Sequence, residues 1–194
     1  MDLETPHGPA RATLHNAQNP RAALALGHGA GGSINSADLV AATEAALAHN
    51  VTVALVEQPY LVAGRRSAAP APQLDTAWKA VIEQLPLEDL PLIAGGRSSG
   101  ARVACRTAAE THARAVVCLA FPVHPPGRPE KTRLSELDAV TVPVLVVQGA
   151  NDPFGMPPQA KNREVVTVPG NHSLAKGRDE VAAAVGDWLD RILD

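Results

Sequence analysis

A three-layer α/β/α sandwich around a mostly parallel, twisted sheet of about seven strands is the fold class this sequence predicts. Three observations carry it. Short apolar runs rich in β-branched residues recur between residues 22 and 168, turns marked by Gly or Pro follow them, and helical periods fill intervals between them. The runs are Ala-Ala-Leu-Ala-Leu (22–26), Val-Thr-Val-Ala-Leu-Val (51–56), Pro-Leu-Ile-Ala-Gly (91–95), Ala-Val-Val-Cys-Leu-Ala (115–120), Val-Pro-Val-Leu-Val-Val-Gln (142–148) and Glu-Val-Val-Thr-Val (164–168). They are nearly continuous rather than alternating, as strands covered on both faces are. A weaker N-terminal strand is expected over 8–14. Between the runs, Leu74, Ala77, Trp78, Val81, Ile82 and Leu85 share one helical face, and Val181, Val185, Trp188, Leu189 and Ile192 do the same near the end. Alternating β and α segments imply right-handed crossovers and helices on both sides of the sheet.

The chain has 194 residues, 45% of them apolar, which suits a single domain spanning 1–194 with a real core. A net charge of −3 argues against nucleic acid as a partner. No apolar run approaches the roughly 20 residues of a membrane span. The opening stretch carries charge and no apolar leader, so a soluble, cytoplasmic protein is expected. Cys105 and Cys118 sit in apolar surroundings and read as buried, reduced thiols. The seven histidines show no metal-binding spacing, so neither a metal nor a cofactor is expected. The oligomeric state is left open by the sequence.

In parallel sheets the chemistry lies beyond the carboxyl ends of the strands. His49 and His112 end helices that run away from that edge, whereas His28, His124 and His172 follow strands. The sharpest signal is Gly96-Arg97-Ser98-Ser99-Gly100, a G-x-S-x-G between a strand and a helix. A serine at such an elbow is held in strained backbone with its hydroxyl above the sheet. Ser99 then opens the helix, so its backbone N–H is available to an oxyanion.

A nucleophilic serine needs a base and a group that orients the base. Asp152 follows the run 142–148 and His172 follows 164–168, so serine, acid and histidine arrive in one order on strand-following loops. His124 precedes Asp152 and is expected to shape the pocket wall. Glu57 lies on the far side of the nucleophile strand and is expected to pair with Arg65 or Arg66. Leu26-Gly27-His28-Gly29-Ala30-Gly31-Gly32 follows the first strong strand and would supply the second oxyanion donor from Ala30, with Gly31 in reserve. Gly27, Gly29 and Gly32 also satisfy G-x-G-x-x-G. Nucleotide binding is opposed by Ser33–Ser36, which separate the last glycine from the helix, and by the distance to Glu57.

These residues resemble the α/β-hydrolase superfamily. Within it they are similar to a small uncapped branch that includes a testis-expressed hydrolase-like protein and the hydrolase-like subunit of the nonspecific-lethal histone acetyltransferase complex. The likeness rests on LGHGAGG (26–32), EQPYLVAGRR (57–66), GGRSSG (95–100), FPVHPPGRPEKTR (121–133), QGANDPFG (148–155) and GNHSL (170–174). It implies a minimal α/β-hydrolase fold without a cap domain, lacking the first of eight strands. It also implies Ser98 as nucleophile, Asp152 as acid and His172 as base.

Loops 58–72 and 121–133 should roof a shallow pocket, with His28, Tyr60, Arg97, Phe121, His124 and Phe154 as candidate substrate-binding residues. Arg65, Arg66, Arg97 and Arg128 could favour a substrate carboxylate. The expected activity is serine-dependent hydrolysis of small acyl esters or thioesters. The competing expectation is a catalytically idle interaction domain on the same fold.

Overall fold

The computed structural model describes residues 1–87 and 89–194. Its sheet holds eight strands: β1 (Asp2–Leu3), β2 (Ala10–His15), β3 (Ala22–Gly27), β4 (Val51–Glu57), β5 (Leu92–Arg97), β6 (Ala115–Leu119), β7 (Val144–Gly149) and β8 (Arg163–Val168). Their order across the sheet is β1-β2-β4-β3-β5-β6-β7-β8. β1 and β2 run antiparallel to their neighbours, and every other pair is parallel. The expectation of a missing first strand is corrected: two residues of it are present, too few to leave a hydrophobic period in the sequence.

The helices are α1 (Ala37–Ala48), α2 (Pro59–Val62), α3 (Ala71–Gln84), α4 (Ser99–Thr107), α5 (Leu134–Asp138) and α6 (Arg178–Leu193). They separate into two layers because the inner strands are apolar on both faces. One core joins Trp78 and Val81 of α3, Val103 of α4 and Leu137 of α5 to Ala94, Val116 and Val146 of the sheet. The other joins Leu39 and Ala42 of α1 and Val185, Trp188 and Leu189 of α6 to Leu24, Val117 and Leu145. Each fully buried large side chain of this kind contributes about 1.5–3 kcal/mol. Trp78 and Trp188, both buried, thus anchor opposite layers. The chain crosses from β7 to parallel β8 without a helix, so residues 150–162 leave the carboxyl edge, where Asp152 lies, and return to the amino edge beside Val144.

α4 approaches β3 more closely than a side chain would permit. A Cβ on Gly100 would lie 2.3 Å from the Gly27 carbonyl oxygen, and one on Gly96 would lie 2.5 Å from the same atom. Both contacts are with backbone, which cannot move aside. Gly100→Ala should therefore destabilise the protein by about 3 kcal/mol. Gly64→Ala, at φ +74° with nothing within 4 Å, should cost only about 1–2 kcal/mol from its backbone conformation. Urea denaturation of the two variants beside the parent checks the ranking.

Candidate active site

The elbow between β5 and α4 sets the position of Ser98. Its φ of +51° and ψ of −105° are a strained conformation for a residue with a side chain. The Ser98 N–H donates to the Leu119 carbonyl of β6 at 2.9 Å, and the Ser98 carbonyl accepts the first helical bond of α4, from Arg102 N–H at 3.2 Å. The amides at the start of α4, including that of Ser99, precede any acceptor within the helix.

The loop after β7 delivers Asp152, whose side chain is 1% exposed. One carboxylate oxygen accepts the Phe154 N–H at 2.8 Å. The other accepts the Gln148 side-chain amide at 2.9 Å and faces His172 Nδ1 at 2.8 Å. The loop after β8 delivers His172, and backbone contacts lock the two loops together: Asn151 N–H donates to the Gly170 carbonyl at 2.9 Å. His172 Nε2 lies 2.9 Å from Ser98 Oγ. Because a carboxylate only accepts, Nδ1 carries the proton, which leaves Nε2 free to accept from the serine hydroxyl. The structure thus brings Ser98, His172 and Asp152 into one hydrogen-bonded chain. Such a chain can remove a proton from the serine as the hydroxyl attacks.

Gln148, which the sequence reading passes over, is fully buried, and its amide also reaches the carbonyls of Phe121 at 3.1 Å and Gly155 at 2.8 Å. It ties the aspartate to the segment after β6 at Phe121 and to the next turn of its own loop at Gly155. No sequence pattern marks a glutamine near a strand end as buried in this way.

Phe154 stacks on the His172 imidazole, with ring centroids 4.0 Å apart and planes at 26°. Phe154 is itself half-buried. Ala30 and Gly31 occupy the tip of a turn closed by Gly32 N–H to the Gly29 carbonyl at 3.1 Å, with Gly31 at φ +63°. That pattern fits a type II turn, whose third position demands the left-handed region. Both tip residues are exposed.

Four expected substrate contacts are placed differently. Phe121 is 0% exposed and belongs to the core. His28 and Tyr60 are each 2% exposed and pack edge to face, 5.7 Å between centroids, beneath the Gly29–Gly32 turn. His28 Nδ1 lies 2.8 Å from the Gly29 carbonyl, and Nε2 accepts the Gln58 N–H at 3.0 Å, so both ring nitrogens are committed to the scaffold. Burial raises the Tyr60 phenol, opposed by the Gly31 backbone amide nearby. Arg97 turns inward and is half-buried: its Nε lies 2.8 Å from fully buried Asp38, and a terminal nitrogen donates to the His172 carbonyl at 3.0 Å. An arginine on a strand-following loop reads as solvated, and only the fold reveals the buried partner.

His124 braces the aspartate loop: its N–H donates to the Phe154 carbonyl at 3.0 Å, and its ring lies against Gly155. Glu57 stands opposite Arg11 in the β2–β4 register and makes no ion pair with Arg65 or Arg66. Among the described residues no group of three or more His, Cys, Asp or Glu is placed to hold a metal, and no helix is long and apolar enough to cross a membrane.

A serine elbow, an acid loop after β7 and a histidine loop after β8 on this strand order define an α/β-hydrolase fold without a cap. Residues 20–181 match the alpha/beta hydrolase domain family, and the chain belongs to it. Similar solved structures include an α/β serine hydrolase without a lid from Xanthomonas campestris, at 19% identity and a TM-score of 0.79, covering 98% of this chain and 93% of that one. Est1E from Butyrivibrio proteoclasticus follows at 18% identity and 0.79, covering 100% and 98%. A dienelactone hydrolase from Anabaena variabilis superposes at 16% identity and 0.76, covering 98% and 95%. At such identities the likeness concerns the fold.

The His28 environment has a consequence for stability. Burial holds its imidazole below the ordinary value, against smaller opposing effects of the Gly29 carbonyl and Glu57. The unfolded chain takes up this proton near pH 6.5, while the native state stays neutral to a lower pH. Stability should therefore fall as pH drops below about 6.5, by up to about 1.4 kcal/mol per pH unit until the native imidazole protonates. Denaturation between pH 5 and 7.5 should show a shallower slope in His28→Gln. Equal slopes would mean that His28 binds its proton alike in both states.

Proposed function

We propose that this α/β hydrolase is a serine hydrolase that cleaves small esters or thioesters through an acyl-Ser98 intermediate. The observation that carries the proposal is the pair of hydrogen bonds at His172, 2.9 Å to Ser98 and 2.8 Å to Asp152. His172 accepts the serine proton as Oγ adds to the acyl carbon. The developing oxyanion is held by the N–H groups of Ser99 and Ala30, with Gly31 beside them. Collapse breaks the bond to the leaving group, which takes the proton from His172. Water, deprotonated by the same imidazole, then releases the acid and restores Ser98. Asp152 keeps the proton on Nδ1 and stabilises the imidazolium.

Several features support a small substrate. The void beneath Ser99, lined also by His28, Gln58 and Tyr60, is only about 10 Å³. A cleft of about 960 Å³ lies elsewhere, lined by Cys105, Arg106 and Glu136 near the amino ends of the strands. Arg65, Arg66 and Arg128 are exposed on loops at the carboxyl edge and in no ion pair among the described residues, which favours a substrate bearing a carboxylate. The Phe121–Arg133 block supports placement in the uncapped branch that the sequence resembles. An idle docking domain would present a sizeable apolar patch. The exposed large apolar side chains among the described residues are Met1 and Met156 alone.

A fluorophosphonate probe should label the parent and not Ser98→Ala, and equal labelling of both would remove Ser98 as nucleophile. Asp152→Asn should retain the fold and lose turnover by a factor on the order of 10⁴.

Chain length gives a second test. An enclosed acyl chain would gain about 0.8 kcal/mol per methylene, and the void of about 10 Å³ beside Ser99 is too small to enclose one. With aryl esters at fixed salt, kcat/KM should peak at acyl groups of about two to four carbons. A steady rise through about eight carbons would reveal an acyl tunnel.

A further inference from the structure

We propose that Arg97 is a positioning residue: its guanidinium, seated on the buried carboxylate of Asp38, sets the spacing between the Gly29–Gly32 turn and the His172 loop. This rests on the serine hydrolase reading for what the spacing accomplishes, and on geometry alone for the brace itself.

The three nitrogens of the guanidinium meet three different parts of the chain. Nε lies 2.8 Å from an Asp38 carboxylate oxygen at the start of α1. One terminal nitrogen donates to the His172 carbonyl at 3.0 Å. The other lies 2.7 Å from where a Cβ on Gly29 would stand, so the oxyanion-loop backbone rests directly on it. Arg97 is also the residue before Ser98, and its own backbone ends β5. One residue therefore belongs to the elbow through its backbone, while its rigid, planar guanidinium touches the start of α1, the turn that offers Ala30 and the loop that carries the imidazole.

The contact with Asp38 is one of charge. The Nε–H is not aimed at the carboxylate oxygen, and neither atom has another partner. Asp38 is 0% exposed, and its second oxygen accepts the Leu39 N–H at 2.9 Å. Buried ion pairs of this kind are often no more stable than apolar side chains of the same volume. Net stability is thus a poor reason for a charged pair here, and fixed geometry is a better one. Lysine would supply the charge without the fork, and could not reach all three sites at once. Displacement of a reacting group by about 1 Å can cost on the order of 100-fold in rate, so a brace between the two loops has leverage on chemistry rather than on binding.

The test compares the parent, Arg97→Lys and the double variant Arg97→Met/Asp38→Leu, which removes both charges and leaves neither stranded. The readouts are the urea midpoint, kcat and KM on a short aryl ester, the rate of fluorophosphonate labelling, and the low-field proton resonance of the His172 Nδ1–H bonded to Asp152. In the double variant we expect a near-parental midpoint, kcat and labelling lowered on the order of 100-fold, KM within about threefold, and a shifted or exchange-broadened resonance. Arg97→Lys should recover only part of the rate, and it carries the test if the double variant does not fold.

Parental labelling and an unmoved resonance in both variants would overturn the brace. So would a KM raised tenfold or more at unchanged kcat, which would return Arg97 to the role of a substrate contact. Absence of labelling and turnover in the parent would sink the hydrolase reading instead, and the His172 resonance would still decide the brace.

Discussion

The carboxyl edge of this molecule depends on a near-contact between two stretches of backbone. Gly96 and Gly100 flank the serine elbow, and both press against the Gly27 carbonyl at distances that exclude a Cβ. That approach lets α4 begin immediately after β5, which forces Ser98 to φ +51° and turns its side chain away from the sheet. It also fixes the end of β3 beside the elbow, so the chain emerging from β3 passes the serine as the Gly29–Gly32 turn. The strain at Ser98 is held by the surrounding strands, through the bond from its N–H to Leu119 of β6.

Charge at this edge is arranged beneath the surface as much as upon it. Asp38 and Asp152 are buried carboxylates, one facing Arg97 and the other served by Gln148, Phe154 and His172. His28 is buried and uncharged, with one nitrogen at a backbone carbonyl and the other accepting a backbone N–H. The same residue type thus takes two roles on neighbouring loops. The difference is environment: His172 meets a carboxylate and an open hydroxyl, while His28 meets only closed backbone partners. Hydrogen-bonded support below and exposed side chains above is a workable division for a site without a cap.

The sequence disclosed the sheet and the three side chains of the hydrogen-bonded chain well, and their supports poorly. Strands β3, β4, β6 and β7 are buried on both faces, so their apolar runs leave a plain signature. Ser98, Asp152 and His172 stand on loops whose place follows from alternation of strand and helix. The short elements escaped notice because β1, α2 and α5 span 2, 4 and 5 residues and complete too little of a period to be read. The buried roles of Arg97, Tyr60 and Phe121 escaped for another reason. Depth beneath a loop is a tertiary property, and the partner that buries Arg97 lies 59 residues earlier in the chain, at Asp38. Gln148 was hidden by its type, since an amide at a strand end has no sequence pattern that distinguishes a buried bridge from a solvated tip.

The scarcity of aromatic residues has a spectroscopic consequence. The chain has two tryptophans, and the sheet divides them: Trp78 lies against Gly27 in the layer of α3 and α4, and Trp188 lies in the layer of α1 and α6. Intrinsic fluorescence is therefore a two-channel reporter, one indole per layer. With either tryptophan replaced by phenylalanine, the remaining emission follows a single face of the sheet, so the cooperativity between the faces can be observed without an attached dye. The channel at Trp78 is also the nearer to the serine elbow, because its ring packs beneath the strand end from which the Gly29–Gly32 turn departs.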